Sequence, residues 1–88
     1  MILDKTMSAL SDPTRQKILE LLKKHNMSAG KLGSHFNITG PSMSHHLNIL
    51  KGAGLISSRR DGQEIIYSLN LSVFEEVAAS LLKFFKVK

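Results

Sequence analysis

The chain contains no cysteine. No disulfide can staple it, and no thiolate can hold a metal or run a redox switch. That absence fits a reducing compartment. No apolar run approaches the roughly 20 residues that a membrane-crossing helix needs. The opening stretch, MILDKTMSAL, has Asp4 and Lys5 inside it, so it lacks the continuous apolar core of a signal peptide. A cytoplasmic location is expected. Internal repeats, low-complexity tracts and linkers are missing. So are the short motifs of catalysis: no Gly-x-Ser-x-Gly elbow, no phosphate-cradling glycine loop, no His-Glu-x-x-His pair. Nothing in the sequence argues for an enzyme.

What is present in excess is positive charge. Twelve Lys and Arg stand against seven Asp and Glu, a net charge of +5, and the pI is near 9.8. An excess of this size favours an anionic partner, nucleic acid or a membrane surface. Eighty-eight residues make one domain, 1–88, with no room for a second core. So small a domain has a thin stability margin, which a second chain would widen.

Hydrophobic spacing divides the chain. Ile2, Leu3, Met7 and Leu10 recur at helical spacing and predict a short first helix. Asp12 is a good N-cap and Pro13 suits a first helical position, so a second helix is expected from Pro13 to about Lys24. Ile18, Leu21, Leu22 and His25 share its inner face. Ser28 caps a third helix with Ala29, Leu32, Gly33 and Phe36 on one side. Gly30 and Gly33 weaken it; close approach of a neighbouring helix, or plain tolerance through packing, would explain them. Asn37 can end that helix in the left-handed conformation. Thr39 then caps a fourth helix, with Met43, Leu47 and Leu50 inward and a stop at Gly52-Ala53-Gly54.

From Leu55 the period changes. Residues 55–60 and 64–69 read as strands, and Asp61-Gly62 between them is a hairpin signal. Asn70 or Ser72 starts a last helix, with Phe74, Val77, Ala78, Leu81, Leu82 and Phe85 on one face. The expected fold is mainly α with a small β-hairpin. Four helices, a hairpin and a fifth helix make a winged helix-turn-helix, with Asn37-Ile38-Thr39 as the turn.

The outer face of the fourth helix shows Pro41, Ser42, Ser44, His45, Asn48 and Lys51. It is poor in charge and rich in short donors and acceptors, which is what base edges in a major groove require. Ser42 and His45 are expected at base edges, with Thr39 and Ser44 near phosphates, and Gly40 among the DNA-binding residues. Arg59 and Arg60, with Gln63 across the turn, suit a phosphate or minor-groove contact. A solvated polar face and a solvated charge pair are the bland alternatives.

The chain also resembles a family. "ALSDPTRQKILELL" looks like the second-helix signature of the ArsR-type winged-helix repressors. "SAGKLGSHFNITGPSMSHHLNILKGAGLISSRRDGQEIIYSL" is similar to the rest of their core, and "SHHLNILKGAGLI" with Tyr67-Ser68-Leu69 is especially specific. The resemblance spans roughly residues 7–70. It implies a homodimer built from the flanking helices, 1–10 and 71–88, on a two-fold symmetric double-stranded operator. Ile2, Leu3, Met7, Phe74, Val77, Ala78, Leu81, Leu82 and Phe85 are the interface expected. The wide apolar face of the last helix agrees, since a lone domain covers such a face poorly.

Many relatives release DNA when a metal binds, through cysteines on the third helix or His and acidic residues on the last. Here the third helix has no cysteine and the last has Glu75 and Glu76 but no His. No cofactor and no familiar metal site are expected, a pattern that resembles the short SdpR-like branch. Its members imply autorepression relieved by abundance, an unknown inducer or a sequestering protein. Among the histidines, His46 is expected to border the core in a hydrogen-bonded role, His25 to sit near the end of the second helix, and His35 to face water. Two other functions stay open: a sensor with an atypical metal or small-molecule site, and a protein-interaction module that does not bind DNA.

Overall fold

The computed structural model describes residues 2–85, and the side chains of residues 4–83. Its elements are α1 (Ile2–Leu10), α2 (Pro13–Lys24), β1 (Met27–Ser28), α3 (Ala29–Gly33), α4 (Gly40–Gly52), β2 (Ile56–Asp61), β3 (Glu64–Leu69) and α5 (Leu71–Phe85). Three helices begin where a short polar side chain accepts from a free backbone N–H. Asp12 accepts from Arg15, Ser28 from Lys31 and Thr39 from Ser42.

The end of α1 is satisfied from outside. A helix leaves its last carbonyls without intrahelical partners. The Ser11 hydroxyl and the Arg15 guanidinium donate to Ser8, Arg15 Nε donates to Ala9, and the Gln16 amide donates to Leu10. The α1–α2 corner is thus held by side chains of α2 and the preceding turn.

The strands form an antiparallel sheet in the order β1-β3-β2, not a lone hairpin. Met27 pairs with Tyr67 and Ser28 with Ile66. The expected hairpin is present, and β1 adds a third strand to it. At two residues it is too short to show alternation, and distant pairing decides it. The third helix is also shorter than its apolar stripe implied. It stops at Gly33, with Ser34 right-handed as its cap, so Asn37 is not its end. Phe36 still packs on the core from the following turn. Neither Gly30 nor Gly33 has an atom within 4 Å of where a Cβ would lie, so no close approach explains them.

Gly54 ends α4 at φ +76°. The Gly54 N–H reaches Lys51 O and the Leu55 N–H reaches back to Leu50 O. Leu55 is folded under the helix and fully buried, as the pattern predicted. A Cβ at Gly54 would meet nothing, so the left-handed backbone alone sets the cost of substitution. Gly54→Ala is expected to lose about 1–2 kcal/mol of stability, measured as a lower urea midpoint with unchanged slope. The wing turn is shifted by one residue. Asp61 pairs with Glu64, so Gly62-Gln63 is the two-residue turn, with Gly62 at φ +65° in its first position.

The core gathers residues from α1, α2, α3, α4 and the start of β2. Ile18, Leu32, Leu50 and Leu55 are its largest fully buried apolar side chains. Val73 and Phe74 from the start of α5 pack against it. The molecule measures 50 × 23 × 22 Å. Among the described residues no helix is long and apolar enough to cross a membrane.

Candidate nucleic-acid interface

Burial along α4 follows the helical repeat. Met43, Leu47 and Leu50 are buried. Pro41, Ser44, His45, Asn48 and Lys51 are exposed and form one continuous stripe. Thr39 and Gly40 at the helix start are exposed as well. Ser42, His46 and Ile49, at i, i+4 and i+7, are half-buried and form the flank of that stripe. Ser42 therefore sits at the margin of the presented face, and His45 and Asn48 near its middle. The Thr39 hydroxyl oxygen accepts the Ser42 N–H at 3.2 Å; its own proton is free to reach a phosphate. Ile38, in the turn before α4, is 38% exposed.

The exposed stripe is polar and uncharged apart from Lys51. A helix with such a face, entered by a capped N-terminus, fits the major groove.

The wing carries its arginines on opposite faces. Side chains alternate along a strand, so Arg60 falls on the side of Ile56, the core side of the sheet. Arg59 falls on the other side, with Ser57 and Asp61, opposite Ile66. Both arginines and Gln63 are exposed. The two arginine side chains thus leave the strand on opposite sides. Asp61 and Glu64 face each other beside the turn, so the tip is less positive than the sequence alone implied.

His46 meets the expectation of a bonded side chain beside the core. Its Nδ1 lies 3.1 Å from Arg15 Nη1 and 3.9 Å from Asp12 Oδ2. Its ring packs edge-on against His45, 5.7 Å between centroids, although consecutive residues leave a helix in different directions. His25 and His35 are exposed. Among the described residues no three His, Asp or Glu side chains converge as a metal-ligand set.

Arg15 is the residue that sequence reasoning passed over. It lies within the "DPTR" block, and a basic residue there reads as surface charge. It is only 9% exposed. The nearby Asp12 carboxyl is held below its ordinary value of 3.8, first by the hydrogen bond from the Arg15 N–H and also by one from the Thr14 N–H. A lowered carboxylate pKa favours the fold above the ordinary value, and that contribution is lost as the pH falls through the folded value. Stability should therefore drop on acidification below about pH 4. Asp12→Asn keeps a capping oxygen, so its melting temperature is expected to fall less than that of the wild type between pH 5 and pH 3.

The apolar side chains of α1 and α5 are unequally covered. Met7 is 48% exposed and Leu82 71%. Ala78 is exposed, whereas Phe74, Val77 and Leu81 are half-buried, and Phe74 packs on its own chain's core. The side chains of Ile2, Leu3 and Phe85 lie outside the described residues.

A capped helix with a polar outer stripe, a helix and turn before it, and a β-ribbon after it define a winged helix-turn-helix DNA-binding regulator. Residues 12–58 match the pattern of the bacterial regulatory proteins of the arsR family, and the chain belongs to that family. It is 57% identical over 76 residues to the transcriptional repressor SdpR of Bacillus subtilis (strain 168), covering 86% of this chain and 84% of that one. The fold superposes on the ArsR-like transcriptional regulator from Rhodococcus sp. RHA1 with a TM-score of 0.85. Identity there is 31%, over 94% of this chain and 78% of the other. A homodimeric winged helix-turn-helix DNA-binding domain from Mycobacterium bovis shares the fold, with a TM-score of 0.74, 21% identity, and 99% and 87% coverage.

Proposed function

We propose that the protein is a homodimeric repressor, acting in the cytoplasm on a two-fold symmetric operator upstream of its own gene. It works by binding and not by catalysis, with residues 1–10 and 71–88 supplying the dimer seam around one DNA-binding domain. The exposed polar stripe of α4 carries this reading. His45 and Asn48 read base edges from its centre, and Ser42 from its margin. Thr39, Gly40, Pro41 and Ser44 approach the phosphates at its start. Arg59 and Arg60, on separate faces of the wing, hold separate stretches of backbone, and Gln63 lies between them at the tip. Exposed Met7 and Leu82, and the homodimeric M. bovis domain of the same fold, support the dimer.

Two-fold symmetry places the half-sites about one helical turn apart. The test is a gel shift on the region upstream of the gene, followed by anisotropy titrations. His45→Ala and Asn48→Ala are each expected to cost about 1–3 kcal/mol on the cognate duplex and little on a scrambled one. Ser42→Ala is expected to cost less. Arg59→Ala and Arg60→Ala are expected to weaken both duplexes and to flatten the salt dependence by about one unit each. If His45→Ala and Asn48→Ala left selectivity intact, α4 would not be the reading helix.

A further inference from the structure

The Arg15 side chain joins three helices. Its Nε donates to Ala9 O at 2.9 Å and its Nη2 to Ser8 O at 3.1 Å, both at the end of α1. Its remaining nitrogen, Nη1, lies 3.1 Å from His46 Nδ1 on α4. Guanidinium has donors only and keeps its proton. Nδ1 of His46 is therefore the acceptor in this contact. The His46 side chain is 14% exposed, and it stands one turn after Ser42 on the flank of the exposed stripe.

We propose that Arg15 and His46 are positioning residues that set the reading helix against the first helix, so that the placement of α1 is transmitted to the face that meets DNA. The proposal rests on α4 being the reading helix. Arg15 is buried and cannot reach a base. His46 points toward Arg15, and its ring edge meets the ring of exposed His45. Removing the Nδ1 acceptor leaves a charged guanidinium nitrogen without its partner in a part-buried place. Either Arg15 or α4 then shifts, and the His45 ring loses its neighbour. Reading of base edges tolerates such shifts poorly, because bidentate contacts have a narrow geometry, whereas phosphate contacts by flexible side chains tolerate them well.

The groups that bear on this contact are few. Arg15 faces His46 from α2 and Asp12 from the cap before it, His45 faces it from α4, and α1 presents the carbonyls of Ser8 and Ala9. Asp12 Oδ2, at 3.9 Å, is too far for a hydrogen bond to His46 in this arrangement.

The experiment uses a duplex selected from a random-sequence library by the wild-type protein, and a scrambled duplex as control. If selection enriches nothing, the reading of α4 fails and not this proposal. With a selected duplex in hand, His46→Leu is expected to lose about tenfold in affinity for it and less than twofold on the scrambled duplex. His46→Asn places an amide oxygen near the Nδ1 position and is expected to stay within twofold of wild type. Arg15→Met should match His46→Leu, and the double variant should be no weaker than either single one. Thermal melts of the folded variants accompany each titration. If His46→Leu and His46→Asn bind alike, or if losses are equal on both duplexes, the positioning role is overturned. The His46 pair decides the matter even if Arg15→Met does not fold.

Discussion

A Leu82→Glu protein is expected to sediment as a monomer, to lose most of its operator affinity, and to melt close to the wild type when melts are extrapolated to low protein concentration. Leu82 is 71% exposed on α5, so its own chain loses almost no packing when it changes. In a two-fold dimer the same patch is used twice, and one substitution brings two carboxylates into the seam. Like charges placed together without partners in an interface cost several kcal/mol, enough to dissociate a modest dimer. A monomer holds one half-site and neutralises half the phosphates. The slope of log affinity against log salt should therefore fall by about half. Sedimentation equilibrium and anisotropy titrations over a salt series measure both quantities. A dimer that survives the substitution, with unchanged salt slope, would remove α5 from the interface.

The core makes the second large expectation. Leu55→Ala should destabilise the fold by about 2–5 kcal/mol. Leu55 is fully buried, and its N–H closes the end of α4 onto Leu50 O at 3.0 Å. The Asn70 N–H bonds to the Leu55 carbonyl at 2.9 Å, so the same residue joins α4, the root of the wing and the start of α5. Alanine keeps these backbone bonds and removes the side chain that fills the junction. A chain of 88 residues has roughly 4–13 kcal/mol of total stability, so the loss takes a large share of it. Urea denaturation at fixed protein concentration reads the effect; the concentration is fixed because the proposed dimer would add to apparent stability. A loss below 1 kcal/mol would mean that neighbouring side chains close the gap.

Both expectations show where the sequence was legible. Leu55 could be foreseen as buried, because Gly54 before it marks a left-handed helix end and an apolar residue after such an end folds back. Leu82 could be placed on an apolar face by spacing, but spacing does not say which part of the face is covered. Val73 and Phe74 share the apolar side of α5 and turn out to pack on the chain's own core. Leu82, further along, is 71% exposed. The candidate reading face was legible for a similar reason. Three buried positions on α4 define the opposite side, and the 3.6-residue repeat assigns His45, Asn48 and Ser44 without coordinates. Ser42, half-buried, lies at the margin of that face, which spacing alone does not reveal.

The wing shows the limit of local signals. Asp61-Gly62 announced a turn, and the turn formed one residue later. A glycine with positive φ fits more than one position of a two-residue turn, and the pairing of Asp61 with Glu64 settles which. Adjacent Arg59 and Arg60 leave the ribbon on opposite sides because of the pleat.

Composition, caps, glycine stops and helical or alternating spacing determined the helices α2 and α4, the ribbon, the exposed stripe and the resemblance of residues 7–70 to a repressor family. Each of these depends on interactions within about one helical turn or across one tight turn, where sequence distance and spatial distance agree. Tertiary structure alone decided that Met27 and Ser28 form a strand, that α3 stops at Gly33, and that Arg15 turns inward to His46, 31 positions away. Those outcomes are set by which surfaces meet once the chain has collapsed, and no local pattern of residues carries that information.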